Sequence, residues 1–259
     1  MRIAAIVEYC GASFYGWQYQ EGSRTVQGEV ERAVSFVANE TVRVITAGRT
    51  DTGVHASAQV IHFDTRAERS QYSWFRGVNA QLPDDIKLRW IDVVDDEFHA
   101  RFSATGRWYR YVILNRQSAP ALLYRRVTHE YRDLDATLMQ HGASFLLGRH
   151  DFSSYRTVHC QAKSPVREIR KLDVIRQGEF IHIIVYADAF LHHMVRNIAG
   201  VLMAIGTGEQ PPEWAREVLE MRDRTRGGVT APADGLYLTR IEYPEHFNIP
   251  QLPPGTGLW

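Results

Sequence analysis

Nine consecutive residues, Ala47-Gly-Arg-Thr-Asp-Thr-Gly-Val-His55, gather a guanidinium, a carboxylate, two hydroxyls and an imidazole in one glycine-bounded segment. Asp51 is at its centre, and Arg49 precedes it by two positions. A carboxylate so placed can act as a nucleophile and hold a covalent intermediate, and a nearby arginine favours its ionised form. Asp is also a common turn former, so Asp-Thr-Gly taken locally leaves a purely structural turn open. The same tripeptide serves acid proteases, whose chemistry needs two carboxylates sharing one proton. Only one Asp-Thr-Gly occurs here, and the neighbouring arginine opposes proton sharing. A homodimer could supply a second Asp, but 259 residues per subunit is far more than such a half-site needs.

The segment lies between two apolar runs, VRVIT at 42–46 and SAQVIHF at 57–63, both read as strands. Before them come a strand at 2–9, a Gly- and aromatic-rich loop, and a helix. That helix carries Val26, Val30, Ala33, Val34, Val37 and Ala38 on one stripe, with Thr25 as its N-cap. A helix near 70–79, capped by Ser70, and a strand at 86–94 complete a β-α-β-β-α-β order. The second half repeats it. A strand at 107–114 alternates Tyr109, Tyr111 and Ile113 with Trp108, Arg110, Val112 and Leu114. Asp135 caps a helix running to Leu147, stopped by Gly148. Strands at 166–175 and 180–187 follow, then a helix at 190–205 ended by Gly206. A short helix at Pro211-Pro212-Glu213 and a strand at 235–243 close the pattern. The expected fold is α+β: two fused ferredoxin-like units with mainly antiparallel sheets and a basic cleft between them, as domains 1–103 and 104–259. The final PQLPPGTGLW is expected to be extended.

Composition agrees with a globular chain, at 44% hydrophobic and 23% charged residues. The longest apolar stretch, Ile198–Ile205, is far short of the ~18 residues a membrane span needs. Met1-Arg2 followed by Ile3–Val7 is too short for a secretory signal. Two distant cysteines, Cys10 and Cys160, argue against a disulfide framework or zinc ribbon, so a cytoplasmic location is the default. Net charge is zero, but its distribution is uneven. Residues 101–132 hold seven Arg and one acid, a net of +6, interleaved with Trp108, Tyr109, Tyr111 and Tyr124. Residues 156–176 hold six basic residues and two acids, a net of +4. Arg suits phosphate because its planar fork can bind two oxygens. Solvated strand faces would produce the same pattern.

The chain resembles the tRNA pseudouridine synthase A family in four motifs, in order, over nearly its whole length. GRTDTGVHA at 48–56 is similar to that family's catalytic loop, which puts Asp51 at the nucleophile. FHARFSAT at 98–105 with RWYRY at 107–111 is similar to its second signature, which puts the active-site tyrosine at Tyr109. FLHHMVRNI at 190–198 and GLYL at 235–238 are similar to its third and last. Thr52 stands where many members have Ala, and Trp108 where Arg is common. The resemblance implies an isomerase without cofactor or metal, working as a homodimer on tRNA. It would convert uridine to pseudouridine at positions 38, 39 and 40 of the anticodon stem-loop. Arg196 then becomes the counter-charge of Asp51. Arg49 fills the space of an extruded base or contacts phosphate, Leu236 walls the base, and Arg107 and Arg110 contact the substrate. Without the family, Arg196 reads as a surface ion pair, Leu236 as core and Tyr109 as strand packing. His55, His192 and His193 invite a metal reading. Adjacent histidines on a helix point about 100° apart, however, and make poor co-ligands. The alternative to catalysis is a non-catalytic RNA-binding protein; the protease reading is the remaining one.

Overall fold

The hydrophobic stripe at 26–38 folds as expected. In the computed structural model, which describes residues 1–157, 160 and 162–252, helix α1 spans Val26–Ala38. It buries Val26, Val30, Ala33, Val34 and Ala38, and the Thr25 hydroxyl accepts from the Gly28 N–H at 3.3 Å. The chain divides into two compact units, one of residues 1–105 with 237–252 and one of residues 106–236. The strand after 236, expected in the second domain, instead pairs inside the first unit.

In the first unit, β1 (Arg2–Tyr9) lies between β4 (Ile86–Val94) and β3 (His55–Asp64), antiparallel to both. The short β2 (Ile45–Thr46) pairs antiparallel with β3. The chain returns as β10 (Leu236–Glu242), whose Tyr237 and Leu238 pair parallel to His55 and Ala56. Helix α2 (Gln71–Gln81) is capped by Ser70, which accepts from the Ser73 N–H at 3.1 Å. Its Trp74 meets Phe63 edge-on at 5.6 Å.

Two expectations shift here. The strand expected over 42–46 shrinks to its last two residues, because its backbone bonds to α1 instead of a ladder. The Val42 N–H donates to Ser35 Oγ (2.9 Å) and the Val44 N–H to the buried Glu31 carboxylate (3.0 Å). Residues 3–7 of β1 are buried on both faces, where strand alternation would leave one face open. The second face is covered by the chain after β10: Ile249, Pro250 and Leu252 line one small cavity with Ile6, Ala58 and Val60. The tail expected to be extended lies, from residue 253, outside the described residues.

His62, on β3, is 1% exposed, and its Nδ1 accepts from the Ala100 N–H at 3.0 Å. Burial, aided by the nearby His99 and Arg2 charges, pushes its pKa down to about 4. The unfolded chain therefore binds a proton at His62 below its ordinary value of 6.5 that the folded chain rejects until about 4. Stability contributed by this residue is full above pH 6.5 and is lost as pH falls toward 4. His62→Gln should flatten that part of the melting temperature–pH curve, removing roughly 3 kcal/mol of pH dependence. Thermal melts of both proteins from neutral to acid pH check this; superimposable slopes would refute it.

In the second unit, β5 (Gly106–Asn115) and β8 (Val166–Gln177) flank β9 (Phe180–Ala187), all antiparallel, with β7 (Gly148–Asp151) on the outer edge of β8. The unforeseen β6 (Thr128–Glu130) pairs parallel with β5. Helix α3 (Ala136–Ser144) is capped by Asp135, whose carboxylate accepts from the Thr137 and Leu138 N–H groups. It ends before Leu147 because its last turn tightens into i→i+3 bonds from Phe145, Leu146 and Leu147. Helix α4 (Met194–Gly206) starts four residues later than expected, since His193 takes a left-handed conformation (φ 64°) that cannot continue a helix. Helix α5 (Trp214–Met221) follows the two prolines. The fold is thus α+β with mostly antiparallel sheets. Among the described residues, no helix is long and apolar enough to cross a membrane.

Candidate functional site

The Asp51 loop is built as a tight turn on the sheet of the first unit. The Val54 N–H donates to the Asp51 carbonyl at 3.1 Å, closing a four-residue turn. Its third position requires positive φ, which Gly53 supplies at 82°. The entry side is fixed by the Ala47 N–H on the Val60 carbonyl (2.9 Å) and the Trp17 N–H on the Thr50 carbonyl (3.0 Å). Asp51 is half-buried and Arg49 exposed. The exit is pinned by His55, which is 1% exposed. Its Nδ1 accepts from the Gly11 N–H at 3.0 Å and its ring stacks on Tyr237 at 4.5 Å. These contacts tie the exit of the turn to the Gly11 backbone and to β10.

The loop at 10–24, legible in sequence only as irregular chain, is the second wall of this turn. A Cβ on Gly11 would lie 2.0 Å from the Val54 carbonyl oxygen. One on Gly16, at φ 83°, would lie 2.8 Å from the Thr50 carbonyl oxygen and 3.1 Å from the Asp51 carbonyl carbon. The two glycines let one backbone lie directly on another, and their spacing in CGASFYGW was the available signal. Cys10 and Cys160 are both half-buried free thiols.

The remaining candidates belong to the second unit. Tyr109 is half-buried in the middle of β5, and its ring meets Phe190 edge-on at 4.9 Å. Arg107 shares that face by alternation and donates to the Asp188 carbonyl at 2.8 Å. Arg110 does not join them. It lies on the opposite face with Trp108, half-buried, where burial lowers its pKa. His182, paired with Val112, is on that same face, and its pKa is lowered by burial and then by the Arg110 charge. Trp108 stacks on Tyr186 at 4.5 Å, with Lys171 5.9 Å above its ring.

Arg196 is in the first turn of α4, half-buried. Its Nε donates to the Ala231 carbonyl (2.8 Å), and the Ala231 N–H returns a bond to the Arg196 carbonyl (3.1 Å). The 224–231 segment that supports it is tied to the buried Asn197. The Asn197 Oδ1 accepts from Arg224 at 3.0 Å and from the Thr230 hydroxyl at 2.7 Å. Leu236, 6% exposed, begins β10. His192 and His193 precede α4 in a turn, with rings 4.3 Å apart. The helical geometry expected to separate them does not apply. Part of the grouped positive charge is matched locally: Arg132 pairs with Glu130 (2.8 Å), Arg170 with Glu168 (3.2 Å) and Lys171 with Asp173 (3.1 Å).

Comparison with known proteins bears on this arrangement. A family model described as tRNA pseudouridine synthase matches residues 5–103 and 143–244, which includes Asp51, Arg196 and Leu236 but not Tyr109. A tRNA pseudouridine synthase A of Nitrosococcus oceani is 58% identical over 259 residues, covering 100% of both chains. That of Alcanivorax borkumensis is 54% identical over 259 residues, 100% of this chain and 97% of its own. That of Coxiella burnetii is 52% identical over 254 residues, 98% of this chain and 97% of its own. A family model covering most of the chain, and relatives more than half identical along all of it, leave one assignment: the chain belongs to the tRNA pseudouridine synthase family.

Proposed function

We propose that this protein is the isomerase that converts uridine to pseudouridine at positions 38, 39 and 40 of the tRNA anticodon stem-loop, with Asp51 as its nucleophile. Beyond family membership, the carrying observation is the turn itself, which holds a half-buried carboxylate on a backbone fixed from both sides. In the reaction the N1–C1′ bond breaks, a C5–C1′ bond forms, the C5 proton leaves and N1 gains one. The atoms balance within one nucleotide, so no redox cofactor is required. Asp51 holds the fragment separated during the rotation of uracil. The base must first leave its stack, at a cost of a few kcal/mol. Tyr109 stacks on it and helps move the C5 proton, Leu236 walls it, and Arg196 keeps Asp51 ionised. Arg49 and Arg107 contact the surrounding RNA; Arg110, facing away from Tyr109, contacts it from the other face of β5 or serves the fold. The finer architecture belongs to the same reading: two ferredoxin-like units framing a basic RNA cleft. The order β4-β1-β3-β2 in the first unit supports it. A cytoplasmic location follows from the substrate. Tritium release from tRNA labelled at uracil C5 tests the activity, because isomerisation frees that hydrogen and simple RNA binding does not.

The basic runs of β5 and β8 imply that tRNA affinity falls steeply with salt, because neutralised phosphates release counterions. Six such phosphates would lower it by about 10³ between about 50 and 200 mM salt. Filter binding across that range checks this, and a flat dependence would count against the basic surface. The family resemblance further implies a homodimer. Sedimentation of the active protein at micromolar concentration should show twice the chain mass; a fully active monomer would remove that expectation.

A further inference from the structure

Gln59 is 0% exposed on β3, on the face that Ile61 and Phe63 present to the core. An amide there is costly unless it is hydrogen-bonded. Its Nε2 donates to the Gly48 carbonyl at 2.7 Å and lies 3.5 Å from the Tyr9 hydroxyl. That hydroxyl, on a side chain 3% exposed, shares a 2.8 Å hydrogen bond with the Thr50 hydroxyl. Among the described residues, the Gln59 Oε1 has no hydrogen-bond partner. Leaving a buried acceptor unsatisfied is a poor way to fill space. What the amide supplies and an apolar side chain could not is the N–H donor toward Gly48.

We infer that Gln59, with Tyr9, is a positioning residue for the Asp51 loop. Gly48 and Thr50 bracket Arg49, and Thr50 immediately precedes Asp51. The pair therefore grips the loop on both sides of the arginine that projects to solvent and one residue before the carboxylate. The peptide planes that aim Arg49 and Asp51 are set by these two buried groups, while the Trp17 N–H and the Gly16 backbone hold the loop at Thr50 and Asp51. This inference rests on the nucleophile reading of Asp51, and its test separates the two.

The test compares Gln59→Met, Gln59→Glu and Tyr9→Phe with the unaltered protein and with Asp51→Asn, by single-turnover pseudouridine formation, tRNA affinity and thermal melting. Gln59→Met and Tyr9→Phe should slow the single turnover about 10- to 100-fold, since small misplacements of reacting groups are costly. Their tRNA affinity should stay within about twofold, because no RNA-contacting group is removed. Gln59→Glu should be pH-dependent. Its protonated acid can donate to the Gly48 carbonyl and its carboxylate repels it, so its rate relative to the unaltered protein should recover several-fold from about pH 8 to about pH 6. A merely structural role would lower the melting temperatures yet leave the rates of folded protein and the pH ratio unchanged, and that result overturns the inference. If the Gln59 variants do not fold, Tyr9→Phe at the unaltered rate overturns it alone. Turnover by Asp51→Asn would instead remove the nucleophile. Normal rates in Gln59→Met and Tyr9→Phe beside an inactive Asp51→Asn would remove only the positioning role.

Discussion

Asp51→Asn is expected to lose at least about four orders of magnitude in the rate of pseudouridine formation while remaining folded and able to bind tRNA. The two side chains are nearly the same size. The turn that carries them is held by main-chain bonds, from Val54 to the Asp51 carbonyl and from Trp17 to the Thr50 carbonyl, that do not involve the carboxylate. An amide is no useful nucleophile, so chemistry stops while geometry persists. tRNA affinity should change little, and a small gain is expected if the carboxylate repels phosphate. In this reading Arg196 loses its charged counterpart. An isolated buried charge can cost about 3–5 kcal/mol, but Arg196 is half-buried and retains its bond to the Ala231 carbonyl. Solvent or bound RNA should relieve most of that cost. Mass-spectrometric mapping of the modified tRNA, with filter binding and a melting curve, checks all three parts. Retained turnover would refute the nucleophile, and loss of folding would return Asp51 to a structural turn residue.

Gly200→Ala in α4 is expected to destabilise the protein, against the ordinary preference of helices. Alanine in a helix interior is normally favoured over glycine by about 1 kcal/mol. Here the added Cβ would sit 1.8 Å from the Val229 carbonyl oxygen and 3.4 Å from the Ala231 nitrogen. Relieving such overpacking costs about 3 kcal/mol, so the net loss is about 2 kcal/mol. In a chain of this size that is a fall of roughly 5 °C in melting temperature. The displaced segment is the one that exchanges two hydrogen bonds with Arg196. Activity should therefore fall by about 10-fold or more beyond the loss of folded protein. Calorimetry with single-turnover kinetics on the folded fraction checks both parts. A more stable, fully active variant would show that the segment yields freely and does not set Arg196.

Periodicity and capping chemistry were enough to place most elements. The stripe of α1, the Thr25, Ser70 and Asp135 caps, and the adjacent strands β8 and β9 are local, and local rules read them. The Asp51 loop stood out because it gathers an Arg, an Asp, two Thr and a His between apolar strands and because its motif is shared by a family. What failed was set by contacts distant in sequence. Residues 42 and 44 looked like strand, but α1 side chains satisfied their amides first. The start of α4 was misplaced because His193 adopts a left-handed backbone that no hydrophobic pattern announces. The last strand joined the first unit because Tyr237 and Leu238 pair with β3, from which they are separated by the whole second unit. The support of the loop from Tyr9 and Gln59 was invisible for the same reason, and the spacing of Gly11 and Gly16 marked only an irregular segment, not the backbone it packs on. A glycine that admits a distant backbone, and a buried amide aimed at a distant carbonyl, acquire those roles only when the chain has folded. The sequence by itself thus determined most of the elements and named the candidate site residues, because both follow from neighbours within one helical turn or strand. Tertiary structure alone decided what holds the reactive loop still, because those bonds join residues that are neighbours in space and far apart along the chain.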